Sequence, residues 1–458
     1  MFYRVVSTGI TILLLAACQP TRQKESAHTG TDDTALTFNR HIAPIIFEHC
    51  AVCHRLGEAG PFPLVSYQDV KKRAKMIAHV TETRFMPPWP ANREYQSYAN
   101  ERGLTNEQIA MIQRWFEEGA LEGRADDLPP LPDFDRASVL GPPDRIVSMK
   151  DTVWIPGNNR DLFLYIKVPF ELPADTFLRA VEFVPGNRQL VHHMNGSLIN
   201  YPDGKKSDIW QGETIVDPDT TDSFSAYHYM QLLNDDGTYP PLSPSMVNYL
   251  PGVEAVAYPE GIGGYYLKRQ AAFLMQTMHY GPSALDTFDL SHFKLWFSDT
   301  PPQRPMRELQ MGTLGDTPVI PEFVIPADSV VTFKTTYRVP QDWSVLTINP
   351  HMHLLGKEFL AYAIRPDGDT IPLVHLPRWD FRWQYFYTFK HILKIPKGSK
   401  IEVWGTFDNT AGNPFQPFDP PQTIREPKGD MKTTDEMFQF FVNYVLYEEG
   451  DEAIPLNQ

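Results

Sequence analysis

The chain has 458 residues, enough for two or three domains with proper apolar cores. Apolar residues make up 42% and aromatic residues 12%, too many for a disordered chain. The formal net charge of −15 argues against nucleic acid, whose binding needs a basic face, and suits a small neutral or cationic substrate.

The chain begins Met1-Phe2-Tyr3-Arg4, followed by an apolar run over 5–17 and then Cys18. A basic start, a short apolar stretch and small residues before a cleavage point predict an export signal over 1–17. The run is too short for a spanning helix. Leu15-Ala16-Ala17-Cys18 resembles the bacterial lipobox, which implies acylation of Cys18 and a lipid anchor on the periplasmic side of a bacterial membrane, the outer membrane being one candidate. The polar stretch 18–36 then reads as a flexible tether. Of the three cysteines, one is taken by lipid and two lie in the next motif, so a disulfide-free protein is expected.

From 37 to 125 the pattern is helical. Ile42, Ile45, Ile46 and Phe47 recur at roughly helical spacing, and Ile109, Ile112, Trp115 and Phe116 follow a capped start at Thr105. Between them, Cys50-Ala51-Val52-Cys53-His54 is the attachment pattern of c-type haem. Zinc would want two more cysteine or histidine ligands, and a thiol oxidoreductase a different context. The expected domain is small, all-α and cytochrome c-like. His54 is one axial ligand and Met86, on the rigid Met86-Pro87-Pro88-Trp89-Pro90 loop, the expected other, with His49 and His79 as alternatives.

Proline and acidic residues over 126–142 mark a linker. Beyond it, 42 prolines against 28 glycines in the chain and short β-like runs predict strands broken by turns. Two all-β sandwich domains of jelly-roll type are expected, over 143–300 and 301–458. The polar segment 205–245 reads as an extended loop.

Histidines gather in this second part. His351 and His353 are two apart, so in a strand both rings project from one face and can meet one ion. Met437, on another strand, adds a thioether, a soft ligand that favours Cu(I), and an open position remains for dioxygen. His192 and His193 are adjacent, and a regular strand would send them to opposite faces. They can share an ion with His279 only where the strand bends, as at a bulge. By themselves, surface or core histidines are the commoner explanation.

Four segments, in order, resemble the copper type II ascorbate-dependent monooxygenases, the family of peptidylglycine α-hydroxylating monooxygenase and dopamine β-hydroxylase. They are His192-His193-Met194, Met278-His279-Tyr280-Gly281, His351-Met352-His353-Leu354-Leu355-Gly356-Lys357 and Asp435-Glu436-Met437. The resemblance implies two coppers with solvent between them. One, on His192, His193 and His279, passes an electron; the other, on His351, His353 and Met437, carries the chemistry of dioxygen at a C–H bond. The family's substrate-binding arginine two residues before H-x-H is Asn349 here, and its later asparagine and tyrosine are Gln439 and Phe441. A small organic substrate without a carboxylate anchor is therefore expected, in a pocket made more apolar by Phe438, Phe440 and Phe441. The fused haem implies electrons from a periplasmic or respiratory donor, passed to the His192–His193–His279 copper. The competing reading is a non-catalytic electron-transfer or copper-binding lipoprotein on the same fold. No nucleophile elbow or paired-carboxylate motif supports a hydrolase.

Overall fold

In a computed structural model, the described residues are 35–134, 140–218, 221, 223–253, 255, 257–426 and 434–456. The export signal, Cys18 and nearly all of the tether lie outside them. Strands dominate from Arg145 onward, and among the described residues no helix is longer than the 12 residues of Asn106–Glu117.

The fold class expected from the sequence needs correcting. The 37–125 segment is not a sizeable all-α domain. It holds one π-helical turn, Phe38–Ile42, and four short helices, Ala43–His49, Tyr67–Lys71, Ala74–Glu82 and Asn106–Glu117. Glycine and proline between 57 and 63, and three prolines between 87 and 90, stop helices that apolar spacing alone would extend. The last helix is the best defined, with a reciprocal capping box between Thr105 and Gln108. A small core of Phe38, Ile46, Ile112 and Trp115 joins these helices.

The rest of the segment belongs elsewhere. Residues 89–100 run as a strap over the C-terminal sheets, with Ala91 and Tyr98 inside their core. Asn92 N–H donates to the His375 carbonyl at 2.8 Å, and Ala99 N–H to the Thr388 carbonyl at 2.8 Å. Asn100 Nδ2 donates to the Phe386 carbonyl at 2.6 Å. Leu36–Gln458 accordingly forms one compact unit.

Two blocks of antiparallel sheet make up most of that unit. In the first, a five-stranded sheet runs in the order Ile215–Val216, Leu162–Glu171, Gln270–Tyr280, Val191–Asn200, Leu242–Tyr249. Its inner face meets a four-stranded sheet that includes Thr176–Val184 and His292–Ser298, with Phe273 stacked on Phe293 at 4.1 Å between ring centroids. The second block pairs two four-stranded sheets. One runs Arg307–Gly312, Phe438–Leu446, Trp343–Met352, Tyr387–Ile395, and the other Val330–Arg338, Lys400–Asp408, Gly356–Ile364, Thr370–Leu376. Alternation builds the core between them: Phe359, Ala361 and Ala363 point inward from one strand, and Ile401, Val403 and Phe407 from its neighbour.

Phe438 and Phe440, expected beside a substrate, are fully buried against Phe359 in this core. Only Phe441 lies on the strand's other face, half-buried. The 205–245 segment is not an extended loop either. It carries the helix Ser223–Tyr229 and closes a satellite core of Tyr201, Ile209, Ala226 and Leu232.

Candidate metal centres

The Trp343–Met352 strand delivers the H-x-H pair. It is paired on both sides only as far as Ile348, and from Asn349 to Met352 it keeps Phe438–Leu446 alone. Pro350, which has no N–H to give, is accommodated on that half-open stretch. His351 lies in the ladder opposite Gln439, and His353 just beyond the strand's end. The same register extended by one residue sets Met437 level with His353, and Met437 is 2% exposed.

The two rings cross at right angles with centroids 5.0 Å apart. His353 Nδ1 donates to the Asp435 carbonyl, and His351 Nδ1 to Gln384 Oε1 at 2.5 Å. The Gln384 amide is oriented by its own Nε2, which donates to the Phe381 carbonyl at 2.9 Å. Both Nδ1 protons are thus committed to oxygens that can only accept. Both Nε2 atoms are then unprotonated lone pairs, and they face each other at 3.2 Å. Two nitrogens each about 2 Å from one ion span roughly 3.3 Å. The donor set fits a metal, and with a thioether at Met437 it fits copper.

The chain beneath this pair is held rigidly. Glu436 is buried and accepts the backbone N–H groups of His353 at 3.0 Å and Leu355 at 2.6 Å. Burial pushes its carboxyl up to about 8, against those hydrogen bonds. Trp379 Nε1 donates to the His353 carbonyl at 3.0 Å. Burial holds the His351 imidazole down at about 4, with the Gln384 bond opposing.

The other three histidines meet on the five-stranded sheet. His193 pairs with His279, and the register slips between Val191 and His193, so His192 is the residue left out of the ladder. That slip swings His192 to the His279 side, with ring centroids 4.9 Å apart, while His193 stands 4.8 Å away. His279 is stacked on Phe163 at 4.2 Å. Its Nε2 meets Asp161 Oδ1 at 2.7 Å, which turns Nδ1 toward His193 Nδ1 at 3.2 Å. Asp161, His192 and His279 also present ligand atoms within 4.8 Å of one another. A carboxylate that holds one imidazole nitrogen in this way leaves the other nitrogen able to bind a metal. His192 is held at about 4, first by burial and then by its histidine neighbour. Sequence reasoning missed Asp161, and it took Gln384, with Asp380 and Arg382, only as a residue that could line a pocket near the second site, with surface alternation an equal explanation. Asp161 and Gln384 are both loop polar residues far along the chain from the histidines they hold, and no local pattern marks them.

Between the two clusters stands Phe381. Its ring lies 5.8 Å from His193 and 5.5 Å from His353, edge-to-face with both. The gap expected to hold solvent is bridged by an aromatic side chain at this point.

At the haem motif Cys50 and Cys53 are not bonded to each other, and burial pushes the Cys50 thiol up to about 12. His54 Nδ1 lies 3.1 Å from the Phe62 carbonyl, so it carries the proton and Nε2 is free to bind a metal. Gly60 lets the chain fold over this ring: a Cβ there would come within 2.7 Å of His54 Nδ1. Neither Cys50 nor His54 lines either of the two cavities beside the motif. Cys53 and His49 open on a cavity of about 640 Å³, shared with Pro87, Pro88, Tyr258 and Tyr385. Met86 lines a different cavity of about 830 Å³ with Trp89, Trp379 and Trp383, in which neither cysteine nor His54 takes part. His79 is solvent-exposed.

No protein-family model matches the chain, and no curated protein matches it at significance. Among solved structures, an allantoicase is 7% identical over 57% of this chain and 83% of its own, with a TM-score of 0.15. A structure of infectious bursal disease virus, Gt strain, is 12% identical over 68% and 74%, also at 0.15. Scores this low fall short of a shared fold.

Proposed function

We propose that this chain is a copper- and haem c-containing monooxygenase that hydroxylates a C–H bond of a small organic substrate with dioxygen. When bound, two coppers supply one-electron redox and dioxygen chemistry, and a haem linked at Cys50 and Cys53 supplies the redox centre that feeds them. The observation that carries the reading is the tautomer lock at His351 and His353. Two lone pairs turned on each other at 3.2 Å repel unless a cation lies between them.

The chain's own residues perform the rest. Gln384 and the Asp435 carbonyl fix the orientations of the two rings in advance of a metal. Glu436 holds the His353 turn from beneath. Asn349, where the family has a carboxylate-binding arginine, donates its Nδ2 to the Tyr385 carbonyl at 2.8 Å. Gln439 Nε2 is likewise committed to the Thr313 carbonyl at 2.7 Å. Neither carries a charge and both are tied to backbone carbonyls, which supports a substrate without a carboxylate anchor.

The test is metal and haem analysis of the full chain together with oxygen uptake. The expected result is two coppers and one covalent haem per chain, with oxygen consumed only when an oxidisable substrate and a reductant are both supplied. Two bound coppers with no substrate-dependent uptake from a broad set of uncharged aliphatic and aromatic compounds would favour an electron-transfer or copper-holding lipoprotein instead.

A further inference from the structure

The loop over 380–384 touches both histidine clusters. Gln384 bonds His351, and Phe381 lies edge-on to His353 in one cluster and to His193 in the other. The loop is itself braced. Asp380 pairs with Arg382 at 2.6 Å, Trp383 N–H donates to the Asp380 carbonyl at 3.0 Å, and Gln384 Nε2 ties back to the Phe381 carbonyl. Arg382 lies over the Phe85 ring at 5.4 Å, which anchors the loop to the chain just before Met86. Phe381 is thus a fixed ring wedged between two imidazoles from separate blocks of sheet. The two legs of 5.8 and 5.5 Å keep those imidazoles within about 11 Å of each other.

We propose that Phe381 is a positioning residue that couples the two centres, so that metal binding at one raises the affinity of the other. The inference rests on the reading of both clusters as copper sites. A metal on His193 and His279 stops the His193 ring from turning, which fixes the edge-to-face contact with Phe381. Phe381 then presents a fixed face to His353, so part of the ordering needed to bind the second ion has already occurred. By linkage the effect runs equally in the other direction. A solvent-filled gap would carry no such coupling, because water reorients freely around either ring.

The test uses the full chain, stripped of metal and titrated with copper alone against a competing chelator, in a double-mutant cycle. H279A removes the first cluster. In the wild-type background it should weaken copper binding at the His351–His353 cluster by about fivefold or more, within the usual range for coupled sites. In the F381A background the same H279A change should have little effect on that affinity. F381L, which keeps apolar bulk but loses the ring edge, should fall between, and it guards against a general collapse of the loop in F381A. Dipolar EPR between two Cu(II) ions supplies a structural readout, with a narrow distance distribution in the wild type and a broader one in F381A. Independent binding in the wild type, with both coppers bound and H279A without effect on the second, would overturn the coupling while leaving the two-copper reading intact. Absence of copper binding at either cluster would overturn that reading itself.

Discussion

Asp161 and Gln384 do the same job in the two neighbouring clusters, each holding one nitrogen of an imidazole so that the other nitrogen faces a second histidine of its cluster. Removing such a partner typically costs 10–100-fold in metal affinity. Q384A is therefore expected to weaken copper binding at the His351–His353 cluster by about that factor, read by chelator competition, with a much smaller effect on the first cluster. D161N should do the converse. Burial also sets a pH dependence. Burial holds the His192 and His351 imidazoles down at about 4 in the folded chain, against an ordinary 6.5. As pH falls from 6.5 to 4, the unfolded chain takes up protons that the folded chain refuses, so copper-free protein loses stability across that window. The contribution is complete above 6.5. The melting temperature of copper-free protein should drop between pH 7 and pH 5, and drop less in H192Q/H351Q; equal drops would show that other groups control it. The histidines themselves were legible in the sequence from their contexts. Their holders were less so: a carboxylate in a loop at 161 looks like any surface polar residue, and Gln384 could be read as a pocket wall near the second site but not as the partner of His351, until the strands bring them together.

The strand that carries His192 and His193 shows what periodicity can and cannot read. Two-residue alternation predicts that neighbours point apart, and it correctly poses the problem that adjacent ligands need a break in the strand. The register slip between Val191 and His193 is that break, and nothing in the local sequence marks it, because a bulge is set by pairing with Gln270–Tyr280. The H-x-H pair needs no such device, since i and i+2 already share a face. Gly281, immediately after the Gln270–Tyr280 strand, completes the arrangement. A Cβ there would lie 2.2 Å from His192 Nε2, so the ring has its place only because that side chain is absent. G281A should rotate His192 away and reduce copper from two per chain to one, measured by metal analysis after dialysis, with the His351–His353 ion retained. Loss of both ions, or of neither, would count against the assignment of His192.

At the scale of the whole molecule, the helical segment failed to be a separate domain for a reason that helix periodicity cannot reveal. In the sequence the Met86-Pro87-Pro88-Trp89-Pro90 loop reads only as a rigid support for Met86, yet Trp89 and Tyr98 pack with Tyr385 and Tyr387 of the C-terminal block, at centroid distances between 4.9 and 5.4 Å. Tyr385 Oη in turn donates to the Pro88 carbonyl at 3.1 Å. The strap therefore buries apolar area that the sheets need, and the short helices depend on it for their anchorage. Tyr98 is 1% exposed, and truncating a buried aromatic ring costs about 3–5 kcal/mol. If the strap joins the two parts into one cooperative unit, Y98A lowers the stability of both together. Native-state hydrogen exchange distinguishes the cases: amides of the Asn106–Glu117 helix and of the Lys400–Asp408 strand should lose protection by similar amounts. Protection lost in the helix alone, with the strand unchanged, would mean that the segment around Cys50, Cys53 and His54 unfolds independently, and that the molecule is two units joined only at the strap.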